Sequence, residues 1–343
     1  MRKSPLVSII VLNYNGLSYL GDGLQECLNS ILTTNYEPVE VIFVDNGSVD
    51  GSADFIRRNF DSKLKIVENK RNLGFSEGFN SGIRVSEGRY LALLSNDMVV
   101  DSNWLNPIVA IMESNCNIGI AGFKRMVYGT KDIIDGIGGN LHICGRNHAI
   151  GFFEIDVGQY DYIKDNLDYI GGAMVIRRQL LKEVGLFDKD YIIFSEDCDL
   201  CFRTRKHGYE TVYVPDAVIW HKGQATLKGM DPQGDYVYYM SEKSRIRFAL
   251  IHFVTKRVLS MFLIDLIWFA ITNPSWKAML VKAYWWNLRK VGTTLKRRMQ
   301  YGPSPPFSCK YPILARAFSL RAHAGAEGKR YLAKKKNLAS HQH

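Results

Sequence analysis

Apolar and polar positions alternate in a regular way along the first third of the chain. Residues 6–12 form a near-continuous β-branched run bounded by polar residues, the pattern of a central strand buried on both faces. Leu17, Leu20, Leu24, Leu28 and Ile31 then recur at spacings of three and four, which predicts an amphipathic helix. Residues 39–44 read as a second buried strand that stops on Asp45-Asn46-Gly47-Ser48. A helix from about Ser52 to Phe60, capped by Asp50 or Ser52, precedes a short strand over 64–67. Strand, helix, strand, helix, strand predicts βαβ units, a parallel sheet, and a ligand crevice at the strands' carboxyl ends.

A glycine-punctuated segment over 69–80 leads into a helix reaching Ser86, and 89–94 reads as another strand, ending on Ser95-Asn96-Asp97. A helix over 102–113 and a strand over 118–123 follow. Residues 126–168 are rich in Gly, Asp and aromatics without periodicity and read as an insertion. The pattern returns at YIGGAMVIRR (169–178) as strand and 179–184 as helix. An acidic cluster then opens another helix, and 211–214 and 217–220 read as two short strands around Pro215-Asp216. His221 sits where the second ends.

The formal charge of +10 is unevenly spread: residues 1–240 hold 24 Lys and Arg against 31 acids, whereas 241–343 hold 20 against 3. An acidic, soluble-looking part therefore precedes a basic one suited to an anionic surface. Nucleic acid would suit the charge too, but no recognition motif accompanies it. The six cysteines show no secreted-framework spacing; Cys198-x-x-Cys201 lacks a second pair and reads as two small apolar residues one helical turn apart. Arg2 and Lys3 before a seven-residue apolar run superficially resemble a signal peptide. That run is short and lacks a small-residue cleavage site, so a first strand in an intracellular protein is expected.

Three acidic motifs fall at or just beyond predicted strand ends. Asp45 could accept from the imide N–H of a pyrimidine base, or close an Asx turn with Asn46-Gly47. Asp97 offers a hard oxygen ligand for a divalent cation on a nucleoside diphosphate, with His221 as a second ligand or a structural imidazole. Glu196, Asp197 and Asp199 lie within four positions. They repel one another unless helix N-terminal amides, a cation or a metal offset the repulsion, with Ser195 as candidate N-cap. Asp197 is the candidate general base.

The blocks VSIIVLNYNG (7–16), VDNGSVDGS (44–52), NLGFSEGFNSGI (72–83), LLSND (93–97), GGAMVIRR (171–178), GLFDKDY (185–191), EDCDLCFR (196–203) and HGY (207–209), with the histidine after VPDAVIW, occur in one order. Over about residues 5–250 the chain resembles glycosyltransferase family 2, and within it the rhamnosyltransferase-like branch of surface-polysaccharide enzymes. The resemblance implies an α/β, GT-A Rossmann-like nucleotide-sugar-binding domain with a mixed, mainly parallel sheet. It also implies inverting transfer from a UDP- or dTDP-linked sugar to a hydroxyl of a lipid-linked or growing surface glycan, with Mn²⁺ or Mg²⁺. Asp197 then matches the base, and Asp97 and His221 the metal or diphosphate contacts. Asn13, Asp45, Arg71, Asn72, Ser95 and Asn96 line the nucleotide pocket. Gly172, Glu196 and Asp199 fall on the acceptor side. Ser95 stands where the metal motif's first acid would be.

Residues 257–272 are apolar apart from Asp265, and at roughly 15 residues fall short of the ~20 that span a bilayer. With Tyr284-Trp285-Trp286 and Arg289, Lys290, Lys296, Arg297 and Arg298, they suggest helices in an anionic membrane interface, or a hairpin packed on the catalytic domain. The expected organisation is a catalytic domain over 1–245, a basic helical segment over 246–300, and a loosely ordered tail over 301–343. A cytoplasmic protein, peripheral on the membrane's inner face, is expected. A processive synthase is disfavoured because no Gln-x-x-Arg-Trp motif is present. The rival reading is a sugar-nucleotide-binding protein without transferase activity.

Overall fold

The computed structural model describes residues 4–302 apart from 61–62, 166, 224–228 and 232. Nearly all of the expected tail, including Pro303, Pro305, Pro306 and the lysines 334–336, lies outside the described residues.

Strand β1 (Val7–Asn13) is buried at every position. Its side chains alternate between two apolar layers: Val7, Ile9 and Val11 on one face, Ile10 and Leu12 on the other. The single helix expected after it is two helices, α1 (Gly16–Leu20) and α2 (Asp22–Leu32), because Gly21 between them takes φ +54°. β2 (Val39–Asp45), α3 (Ser52–Phe60), β3 (Lys65–Glu68), α4 (Gly74–Val85) and β4 (Tyr90–Ser95) follow. The Asp50 carboxylate accepts from the Ser52 amide at 3.0 Å, the expected start of α3.

A short β5 (Met98–Val100) comes next, and α5 (Leu105–Ser114) begins three residues later than the periodicity suggested. β6 (Ile118–Val127) runs into the region read as an insertion, which holds β7 (Ile134–Gly136), β8 (Gly139–Leu141) and β9 (Asn147–Ala149). Of 169–178 only β10 (Met174–Arg177) is strand. α6 (Arg178–Val184) and α7 (Glu196–Lys206) lead to β11 (Glu210–His221). The two short strands expected here are one: a register shift between Val214 and Val218 absorbs Pro215 as a bulge.

The large sheet has the order β3-β2-β1-β4-β10-β6-β11-β5, with β7 on β6. β3, β2, β1 and β4 are parallel, β10 is antiparallel to both β4 and β6, and β11 is parallel to β6. Hence β1, β2, β4 and β11 all deliver their carboxyl ends to one edge. Helices α2, α3 and α5 pack on one face and α4, α6 and α7 on the other.

Four more helices follow: α8 (Asp235–His252), α9 (Thr255–Ile271), α10 (Pro274–Arg289) and α11 (Val291–Tyr301). Ile246, Phe248, Ala249 and Phe253 form a third core with Tyr191, Cys198 and Phe202. Burying each large apolar side chain is worth ~1.5–3 kcal/mol. The expected domain boundary at 245/246 therefore falls inside α8, which is built into the catalytic part. Of the two readings of the basic segment, packing on the domain holds for the inner faces of these helices. Among the described residues no helix is long and apolar enough to cross a membrane.

Candidate functional site

The register of β1 on β2 sets Asn13 beside Asp45. Asn13 Nδ2 donates to Asp45 Oδ1 at 3.0 Å and to Ser48 Oγ at 3.2 Å, and its Oδ1 accepts from Asn96 Nδ2 at 2.7 Å. Asp45 Oδ2 accepts from the Ser48 amide at 3.0 Å, the Asx turn that the motif allowed. Asn46, expected only as part of that turn, also fastens the next loop: it donates to Asn72 Oδ1 at 3.0 Å and the Gly74 carbonyl at 3.1 Å, and accepts from Asn69 and Leu73. Gly47 takes φ +77°, and a Cβ there would lie 2.4 Å from the Arg71 carbonyl carbon. Arg71 and Asn72 are thereby held, exposed, beside the ends of β1 and β2.

Beyond β4, Ser95 Oγ donates to Asp97 Oδ1 at 2.5 Å. β5 starts one residue after Asp97 and pairs with β11, opposing Met98 to His221. His221 Nε2 consequently lies 3.2 Å from Asp97 Oδ2, and Nδ1 3.0 Å from Asp135 Oδ2. Burial opposes a charge on His221, but hydrogen bonds to Asp135 and Asp97 overcome it and push its pKa up to about 9. Burial would raise the Asp97 carboxyl; the contacts with His221 and Ser95 prevail and hold it below the usual range. Among the described residues no three metal-ligating side chains form a cage. Asp97 offers one hard oxygen donor at this edge, and His221 Nε2 would offer a second once a cation displaced the proton it directs at Asp97, with Asp135 orienting the ring through Nδ1; diphosphate oxygens and water would complete the shell.

Arg125 and Asp135 join this corner to the acidic cluster, and neither stood out in the sequence. Arg125 Nε contacts Asp135 Oδ2 at 3.3 Å, and its Nη1 donates to the Ile170 carbonyl at 3.0 Å. Gly171, at φ +98°, leaves room for that guanidinium: a Cβ there would stand 1.9 Å from Nη1. The Gly171 amide donates to Asp197 Oδ2 at 3.1 Å. For Asp135 the aromatic–glycine patterning of 126–168 was the available signal, but without period it placed no residue; Arg125 falls in β6 beyond the strand expected over 118–123.

The three acids of α7 are each handled differently. Asp197 also accepts from the Cys198 amide at 2.8 Å; burial raises its carboxyl, with those amides and Arg125 pulling the other way. Glu196 is buried, and its Oε2 has no hydrogen-bond partner among the described residues. Burial first and Asp197 second push its carboxyl well above the usual range. Asp199, expected on the acceptor side, is not brought to the crevice. It is 1% exposed and bonds Arg203 at 2.8 Å and His252 at 2.7 Å beneath α8. Ser195 is not a side-chain cap; it takes φ +61°. Gly172 is half-buried, and the nearest atom to a Cβ there would be a Phe75 ring carbon, 3.7 Å away. Cys198 and Cys201 are free, buried thiols.

The profile of the family described as "Glycosyl transferase family 2" matches residues 8–185. An uncharacterized glycosyltransferase of Haemophilus influenzae is 27% identical over 252 residues, covering 71% of this chain and 72% of its own length. The poly-beta-1,6-N-acetyl-D-glucosamine synthase of Staphylococcus epidermidis is 25% identical over 239 residues, 67% of this chain and 55% of the synthase. Among solved structures, GalNAc-T7 with UDP, GalNAc and Mn²⁺ aligns at TM-score 0.53 and 17% identity, over 71% of this chain and 51% of that one. S. aureus TarS 1-349 aligns at TM-score 0.52 and 14% identity, over 81% and 78%. These structural likenesses show the fold.

Proposed function

The chain belongs to glycosyl transferase family 2, and from that premise we propose that it moves a sugar, with inversion, from a UDP- or dTDP-linked donor to a hydroxyl of a lipid-linked or growing surface glycan. The protein would work without processivity, peripherally at the inner face of the cell membrane, in the rhamnosyltransferase-like branch. The observation that carries this is the convergence of four strand ends, bearing Asn13, Asp45, Asp97 and His221, on one edge, linked through Asp135, Arg125 and Gly171 to Asp197.

Asp45, with Asn13, Arg71, Asn72, Ser95 and Asn96 around it, holds the nucleotide. Asp97, with His221 once its imidazole is deprotonated, would hold a divalent cation, Mn²⁺ or Mg²⁺, which when bound offsets the diphosphate charge. GalNAc-T7 was crystallised with UDP and Mn²⁺, which supports that choice. Asp197 takes the proton of the acceptor hydroxyl as the oxygen attacks the anomeric carbon from the face opposite the diphosphate, while the bond from that carbon to the diphosphate oxygen breaks and the nucleoside diphosphate leaves with the electron pair. Its two amide contacts fix the carboxylate, so little orientation is lost at the moment of reaction. Glu196, buried beside the base, and the open side of Gly172 face the acceptor.

A screen of UDP- and dTDP-sugars, with and without Mn²⁺, tests this reading. Metal-dependent donor turnover is expected, and Asp97→Ala should weaken metal-dependent nucleotide binding by on the order of 10- to 100-fold. Nucleotide binding that ignores the metal, with no turnover of any donor, would replace it with a sugar-nucleotide-binding protein.

A further inference from the structure

Helix α9 is apolar on two opposite sides. Its inner side packs Met261, with Val258, Ile264 and Trp268, against the third core, and buries Asp265. Its outer side carries Leu259, Phe262, Leu263, Leu266 and Ile267, all exposed, with Leu263 at 64% and Leu266 at 66%. These follow the spacing i, i+3, i+4, i+7, i+8, a second complete apolar stripe. The next helix repeats the pattern, since α10 buries Leu280, Ala283 and Asn287 but exposes Val281, Trp285 and Leu288; α11, which buries only Thr294, exposes Val291, Leu295 and Met299. A helix lying on a core needs one apolar stripe; α9 and α10 carry a second, and with the exposed stripe of α11 they present a surface suited to a nonaqueous neighbour.

Charge identifies that neighbour. Between Thr255 and Gly302 there are nine Lys and Arg and one acid, Asp265. Asp265 is buried and paired to Arg245 at 2.6 Å, so it offsets nothing at the surface. Lys290 reaches Asp190 and Arg297 reaches Asp188 of the catalytic part. Lys256, Lys277, Lys282, Arg289 and Lys296 have no carboxylate partner among the described residues. A second copy laid on this face would bring two sets of cations together. Anionic headgroups would neutralise them, while acyl chains take the leucines and Trp285.

We propose that the outer stripes of α9, α10 and α11 are the surface by which this protein lies on an anionic bilayer. α9 has 17 residues, and its inner side is tied to α8 through the Asp265–Arg245 pair, so it lies along the interface rather than crossing it. The inference rests on the membrane placement proposed above, and not on Asp197 or Asp97.

The test uses the full chain with vesicles of neutral phosphatidylcholine and of phosphatidylcholine with phosphatidylglycerol, at low and 0.5 M salt, beside a Leu263→Ser/Leu266→Ser variant. Binding about tenfold or more tighter to the anionic vesicles is expected, weakened by salt. The variant should lose it, with melting temperature and soluble donor turnover unchanged. Equal binding by the variant, or to neutral vesicles, would overturn the proposal. So would a dimer that ignores lipid and that the variant dissociates. Vesicle binding by a chain that turns over no nucleotide sugar would support this surface while overturning the transferase reading.

Discussion

Arg125 is the residue on which the two halves of the site depend. It contacts Asp135, which holds His221, and it holds the Ile170 carbonyl next to the amide that fixes Asp197. Its charge also opposes the burial that raises the Asp197 carboxyl. A base must be unprotonated, so a raised pKa costs activity on the acid side, and losing Arg125 raises it further. Arg125→Gln should therefore move the acid limb of the transfer pH profile upward and lower the rate at neutral pH by on the order of 10- to 100-fold. Arg125→Lys should restore part of the shift. A reduced rate with an unmoved limb would make Arg125 a packing residue.

At the scale of elements, the acidic helix is set by the loop before it and by α8 behind it. Ile192, Phe194 and Ser195 all take positive φ, each costing about 1–3 kcal/mol. The Ile192 carbonyl accepts from the Phe75 and Ser76 amides at the start of α4, and Ser244 of α8 donates to the Tyr191 and Ile193 carbonyls. Behind α7, Asp199 locks onto Arg203 and His252. Burial alone would raise its carboxyl, but those two partners hold it well below the usual range.

Asp199→Asn should lower stability by about 3–5 kcal/mol by leaving Arg203 buried without its partner, measurable as a fall in denaturation midpoint. Because the folded pKa is depressed, the wild-type advantage is present above pH ~4 and is lost as pH falls through the folded value. A difference that grows on acidification would contradict this.

The strands and their terminal acids were legible because a buried parallel strand is a continuous apolar run and its end is where polarity returns. Asp199 was misplaced because sequence spacing put it beside Asp197 but could not show His252, 53 positions on, arriving behind it. Arg125 was missed because β6 runs to Val127, past the apolar run over 118–123 that marked the strand, and Asp135 because the three-residue β7 is too short to show a period.

Across the whole molecule, an acidic catalytic part and a basic helical part share one core. The charge count divides the chain at residue 240, inside α8, which carries Ser244, Arg245 and His252 into contacts with the catalytic part. What composition could not show is that the C-terminal helices have an inner side that supports the site and an outer side left for another partner. The chain spans 55% of the Staphylococcus epidermidis synthase.

The central claim is that Asp197 is the general base of a transfer carried out at that crevice. Parallel measurement of nucleotide affinity and sugar transfer in wild type and Asp197→Asn tests it directly. Transfer should fall by about 10²–10⁴-fold with nucleotide affinity nearly unchanged; retained transfer, or loss of nucleotide binding together with it, would contradict the assignment.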